Sequence, residues 1–184
     1  MKKIIMLSLF FSSVGFSKIL IEPYIAVNIL GDFDYKSAAS KAAKGDSDKI
    51  PFSFGGRLGY TKMGFQGGLD YALTKSMKFE QNTTQKGDMN EFGAFVGYQL
   101  PILLRGYVGY TFHGKIDFET GGEYKSLRGV KFGLGYSIFP MVKMNVEYKL
   151  YNFGEYKLNS VTVNPKADAD LKMFAVSISV PLSL

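Results

Sequence analysis

The chain has 184 residues, 46% hydrophobic and 21% charged, with a formal net charge of +6. That length suits one domain and is short for two. There is no cysteine and one histidine, which excludes disulfide scaffolds, thiolate metal sites, cysteine nucleophiles and multi-histidine metal centres. Glycine (21), tyrosine (12) and phenylalanine (16) are frequent, and so aromatic a chain is not a disordered one.

The first residues read as an export signal. Lys2 and Lys3 form a positive start, and residues 4–11 are apolar but too few to span a bilayer. Gly15-Phe16-Ser17 places small residues at the spacing that suits cleavage after Ser17. The expected division is therefore 1–17 as a cleaved signal peptide and 18–184 as the mature domain. No later segment approaches the roughly 18 continuous apolar residues of a membrane helix.

From Ile19 onward the chain alternates with period two, the signature of strands with two distinct faces. The first run puts Ile19, Ile21, Pro23, Ile25, Val27 and Ile29 on one face. The next apolar faces are Phe52, Phe54, Gly56, Leu58, Tyr60; then Phe65, Gly67, Leu69, Tyr71, Leu73; then Phe92, Ala94, Val96, Tyr98, Leu100. Four more follow: Leu104 to Phe112, Val130 to Ile138, Val142 to Leu150, and Phe174 to Leu184, each taken at every second residue. None of these positions is charged. The complementary face carries Glu22, Arg57, Asp70, Glu91, Arg105, Lys131, Lys143, Glu147 and Lys149, with many glycines between them.

The connections alternate as well. Long polar stretches at 31–50, 75–90, 114–127 and 154–170 are expected as loops, and tight turns are expected around Lys62-Met63, Pro101-Ile102 and Phe139-Pro140-Met141. Long loops on one side and short turns on the other are the asymmetry of outer-membrane barrels. The expected fold is all-β, an eight-stranded antiparallel up-and-down transmembrane β-barrel with both termini on the periplasmic side.

Alternation alone does not say which face looks outward. A soluble barrel of lipocalin type would bury the apolar face, and a membrane barrel would expose it. Residue size decides. The polar face is mostly Gly, Ser, Ala and Thr with a few charges, which an eight-stranded lumen can hold. The apolar face is bulky, and Phe52, Phe92, Phe112, Tyr60, Tyr98 and Phe65 sit near strand ends, where interfacial aromatics belong. A helix-free chain satisfies its backbone in hydrocarbon only by closing its sheet.

The recurring strands Arg57-Leu58-Gly59-Tyr60, Phe95-Val96-Gly97-Tyr98, Tyr107-Val108-Gly109-Tyr110 and Gly133-Leu134-Gly135-Tyr136 are aromatic-rich and Gly-Tyr-punctuated. With Met144-Asn145-Val146-Glu147-Tyr148 near the end, the chain resembles the small eight-stranded outer-membrane barrels, the OmpA transmembrane domain and OmpX group. The resemblance covers 18–184 and ends on an alternating strand, with Leu184 where that group carries Phe. It implies an outer-membrane address and partners of three kinds. These are outer-membrane lipid and lipopolysaccharide, the barrel-assembly machinery acting on the C-terminal strand, and a host or cell-surface ligand at the loops.

Glu22, Arg57, Asp70, Glu91, Arg105, Lys131, Glu147 and Lys149 are expected to form ion pairs across the lumen and plug it, because acids and bases nearly balance and buried charges must pair. A selective pore would carry one dominant sign. The expected role is structural or cell-surface interaction through four loops by a monomer; the alternative is a narrow passive channel for small or apolar solutes of the OmpW-like kind. No catalytic, cofactor or metal residues are assigned. His113 is placed at the loop end of the fifth strand on the polar face, without a Ser or Asp partner in pattern. Asp32-x-Asp34, Asp46-x-Asp48 and Asp168-x-Asp170 lack the ligand spacing of a calcium loop, and residues 37–44 could form a helical turn. The Gly-x-Gly repeats lack a strand-to-helix setting, and the diffuse positive charge gives nucleic-acid binding no support.

Overall fold

The computed structural model describes residues 17–35, 51–80, 84–119, 121–139, 141–158, 161–164 and 169–184. Eight long strands follow one another: β1 (Lys18–Tyr35), β2 (Phe52–Lys62), β3 (Phe65–Glu80), β4 (Thr84–Gln99), β5 (Leu104–Phe118), then, past the short β6 (Gly122–Lys125), β7 (Arg128–Phe139) and β8 (Val142–Phe153), and, past the short β9 (Glu155–Leu158) and β10 (Val161–Asn164), β11 (Ala169–Ser179). A last pair of residues, β12 (Leu182–Ser183), lies beside the foot of β1. Each long strand pairs antiparallel with the next, β5 with β7 and β8 with β11, and β11 returns to β1. The sheet is thereby closed into an eight-stranded up-and-down barrel, and in hydrocarbon closure leaves no edge unpaired.

One end of the barrel is made of tight turns. Between β2 and β3, Met63 (φ 51°) and Gly64 (φ 86°) both take positive φ, as a two-residue hairpin that follows strand twist requires. Gly64 also has no room for a side chain, since a Cβ would sit 2.8 Å from the Gln99 carbonyl oxygen. The opposite end is built of long hairpins.

The stretches expected as long loops at 75–90, 114–127 and 154–170 are, among the described residues, largely strand. β3 runs to Glu80 and β4 starts at Thr84; β5 runs to Phe118 and β6 starts at Gly122. β6 continues β7 and β9 continues β8 in one register, with Arg128 opposite Asn152 and then Lys125 opposite Glu155. Polarity misled the reading. Irregularities at Thr74/Met77 and Phe92/Gly93, with Ser126 at φ 57°, break the simple alternation while the ladder continues. The helical turn expected at 37–44 and the signal peptide expected at 1–17 fall, apart from Ser17, outside the described residues.

Within the barrel the bulky face points outward. Leu58, Val96, Leu134 and Ile178 are 57–67% exposed, whereas Glu22, Arg57, Glu147 and Lys149 on the other face are at most 2% exposed. Burying ions while exposing Leu and Val makes sense only if the exterior is lipid. Aromatics mark the ends: Phe65 packs on Tyr98 with tilted rings (centroids 4.7 Å) at the turn end, and Phe92 meets Phe112 edge-on (5.1 Å) toward the hairpins. No helix among the described residues is long and apolar enough to cross a membrane.

Toward the hairpin end the faces exchange character. Outward positions become Lys75, Lys115, Asp117, Arg128, Asn152 and Lys172. Inward positions become Met89, Ile116, Leu127, Tyr151, Phe153, Leu171 and Met173, which form one buried apolar cluster. On β5 a bulge makes the exchange: Phe112 is extra between the pairs Phe92–His113 and Gly93–Thr111, so Phe112 and His113 both face out and Ile116 faces in. His113 is therefore not on the lumen face, contrary to the sequence reading. The hydrocarbon zone ends at this exchange, because above it the exterior is one that water solvates.

Candidate functional site

The lumen brings together all eight residues expected there. Starting nearest the turns, Arg105 of β5 holds Glu22 of β1 through two nitrogens, at 2.6 and 2.7 Å, a bidentate fork. The same guanidinium reaches Asn145 Oδ1 (2.6 Å) and Gln66 Oε1 (3.3 Å). Arg57 of β2 is the hub. It contacts Glu22 (3.3 Å) and Asp70 (3.7 Å), and bonds closely to Glu147. Lys131 of β7 links Asp70 (2.7 Å) to Glu91 (3.3 Å), and Lys149 of β8 links Glu91 (3.1 Å) to Glu147 (3.6 Å). Four acids and four bases on seven strands thus form one connected network, closed upon itself through Arg57, Asp70, Lys131, Glu91, Lys149 and Glu147.

Tyrosines complete it. Tyr24 donates to Asp70 (2.9 Å), Tyr107 donates to Glu147, and Tyr151 donates to Glu91. Three of the four carboxylates thus accept a phenol as well as a cation, which fills more of their lone pairs. Arg57 also lies over the rings of Tyr107 (4.5 Å), Tyr24 (4.8 Å) and Phe95 (5.8 Å), and Arg105 lies 4.8 Å from the Tyr107 ring. Glycine makes the room. A Cβ on Gly55 would fall 2.2 Å from Tyr24 Cζ, and one on Gly133 would fall 2.1 Å from Tyr107 Cζ. The sequence reading found the charges and the glycines and missed what joins them. The signal was available: Tyr24, Tyr107 and Tyr151 share the parity of the charged positions.

A smaller polar cluster crosses β1, β2 and β3, where Asn28 donates to Ser53 (2.9 Å) and Ser53 meets Thr74 (2.7 Å). Nearer the turns, Asn145 donates to Ser177 (3.2 Å) and Ser179 (3.0 Å), tying β11, whose lumen-facing side chains carry no charge, to the network.

Outside, the hairpin extensions carry an interlocked charge pattern. Lys115 bridges Asp117 (2.9 Å) and Glu123 (3.3 Å), Lys125 meets Glu123 (3.1 Å), Lys157 meets Glu155 (3.3 Å), and Lys75 meets Asp88 (2.5 Å). The hydrogen bond to Asp117 raises Lys115 above its ordinary value. Partial burial would raise Glu123, but hydrogen bonds and charge from Lys125 and Lys115 outweigh it and lower the carboxyl. His113 is exposed, and among the described residues no group of His, Asp or Glu is arranged to hold a metal. Of the Asp-x-Asp pairs, Asp46, Asp48 and Asp168 lie outside the described residues, and Asp170 accepts from Asn152 (3.0 Å).

Known proteins share this architecture. Neisserial surface protein A superposes with a TM-score of 0.52 at 16% identity, covering 88% of this chain and 96% of that one. Ail, the attachment invasion locus protein of Yersinia pestis, superposes with a TM-score of 0.51 at 14% identity, covering 90% and 99%. No curated protein matches the sequence. At such identities the likeness concerns fold. The family model described as "Outer membrane protein beta-barrel domain" matches residues 13–177. A closed sheet with a greasy exterior, a paired ionic lumen and that match together make the chain a member of the outer-membrane β-barrel family, crossing the outer membrane with eight strands.

Proposed function

We propose that this protein is a closed, monomeric barrel whose work is done at its surface, with the lumen sealed rather than conducting. The observation that carries the reading is the Arg57 hub, which gathers Glu22, Asp70 and Glu147 at the middle of the lumen, with all four side chains buried. Moving an ion through would mean separating these pairs, and an unpaired charge in so dry a place is very costly. Nearer the hairpins, the apolar cluster around Phe153, Ile116 and Leu171 supports a second seal. A lining of balanced sign also argues against ion selectivity. Planar-bilayer recording tests the proposal. The wild-type protein is expected to leave the bilayer at baseline, and frequent, well-defined openings would establish the narrow channel instead.

The surface role rests on the hairpins, which stand beyond the lipid as an ordered sheet with its own apolar core and a charged exterior. On this proposal they face outward from the cell, toward lipopolysaccharide, other cells or a host molecule. The turns and both termini face the periplasm, residues 1–17 are removed on export, and the assembly machinery reads the C-terminal strand. Loops and protruding hairpins are where such binding varies between relatives. Replacing residues 116–125 and 155–164 by short turns should abolish cell adhesion or serum resistance while the barrel still shifts on a gel before and after boiling. Unchanged adhesion and resistance in that variant would remove the surface role.

A further inference from the structure

We infer that the turn-end mouth of the barrel is an anion-binding vestibule built on Lys143, taking a small carboxylate or phosphate. The inference does not depend on whether the lumen conducts or on which compartment the turns face.

The mouth is a cavity of about 550 Å³ lined by Thr61, Gln66, Gln99, Ser137, Lys143 and Ser183, among others. That volume holds an oxyanion with a modest organic body. Beside apolar walls that include Leu20, Leu100 and Leu103, its lining offers hydroxyls, amides and one ammonium, and no carboxylate. Charge bookkeeping in the lumen explains why. The eight networked residues neutralise one another, and Glu22 is gripped by both Arg105 and Arg57. Lys143 is the ninth charge, and among the described residues no carboxylate lies at ion-pair distance from it.

Lys143 is nonetheless 7% exposed. Its Nζ is hydrogen-bonded to Gln99 Oε1. That amide is held in place, since Gln99 Nε2 donates to the carbonyls of Leu100 (3.2 Å) and Leu104 (3.1 Å). An ammonium has three donors, so two remain for a ligand. Gln66 accepts from Arg105 with its oxygen, which leaves its amide NH₂ to donate. A largely buried cation with fixed neighbours and no counter-ion is the situation an oxyanion relieves. Hydroxyls of Thr61, Ser137 and Ser183 are further donors around the same space.

The test is a titration of the full mature barrel, carrying ¹³C-labelled lysine, in a non-phosphate detergent. Inorganic phosphate and acetate are added at ionic strength held constant with sodium chloride. The Lys143 Cε resonance should move saturably, with Kd on the order of 1–10 mM, while those of Lys131 and Lys149 stay put. K143R should retain saturable phosphate binding by isothermal calorimetry, and K143Q, shown folded by its gel shift, should lose it. If K143Q does not fold, the wild-type titration still decides. Bicelles containing phosphatidylglycerol, without free phosphate, separate the two sources of the ligand. A Lys143 shift there identifies a lipid headgroup, and a shift with soluble anion alone identifies a water-borne one. A Lys143 resonance that stays still in every arm, or binding that survives in folded K143Q, overturns the inference.

Discussion

Two regions of this barrel solve opposite solvent problems with the same strands. In the membrane zone, β5 points Val108 and Tyr110 at lipid and Arg105 and Tyr107 at the lumen; past the bulge at Phe112 it points Lys115 and Asp117 at water and Ile116 inward. Below the exchange, cohesion inside the barrel is ionic, and lipid contributes no hydrophobic force to closing it. Above the exchange, cohesion comes from burying Ile116, Leu127, Phe153 and Leu171 away from water, as in any soluble protein. A strand can serve both because its backbone is satisfied by its neighbours at every height, so side chains alone carry the change of solvent.

If that contrast is right, the largest effects come from damaging each interior with the wrong chemistry. Arg57→Met leaves the Glu147, Asp70 and Glu22 carboxylates short of a partner and should cost about 3–5 kcal/mol, read by denaturant unfolding in lipid vesicles. Adding Glu147→Gln should return part of it, since that charge then needs no partner. Phe153→Ala should cost a similar 3–5 kcal/mol, but locally: amide exchange should quicken in the hairpin extensions and stay slow in the membrane zone. Equal quickening throughout would show that the two regions are one cooperative unit.

A lysine placed on the outer face measures where the exchange lies. Leu134→Lys, on the lipid-facing side, should cost about 2–4 kcal/mol. Arg128→Lys, on the same strand above the boundary, should be nearly neutral, within about 0.5 kcal/mol. Similar costs for both would move or remove the boundary. The exposed pairs matter least: Lys75→Ala should change stability by no more than about 1 kcal/mol, and less in high salt. The Glu123 carboxyl has a lowered folded value, so its contribution is present above the unfolded value of 4.5 and is lost as pH falls through the folded one. Amide protection factors at the β6–β9 pairing, taken relative to the intrinsic exchange rate at each pH, should therefore fall on acidification from neutral pH to below 4.5, while those of the membrane zone are unchanged.

The sequence alone reached a good deal of this. Period-two alternation, absence of charge on one face and glycine with paired charges on the other were enough for strand number, closure and the lipid-facing side, because all three follow from the pleat and the solvent. The same alternation selected the eight lumen residues by parity. It failed where parity changes: the bulge at Phe112 turned His113 outward, and the polar extensions of β3, β4 and β5 read as loops although they continue the ladder. The joining tyrosines share that parity, but parity says only which face they take and not which carboxylate each one meets across the lumen.

What the linear chain determined is which side chains share a face, since that is fixed by backbone geometry two residues at a time. What only the closed structure decided is who meets whom across the lumen: Arg57 with Glu147, 90 positions apart, the Gly133 gap that admits the Tyr107 ring, and the odd cation at Lys143. Those depend on curvature and stagger, which bring distant strands to one height and which no stretch of sequence encodes by itself.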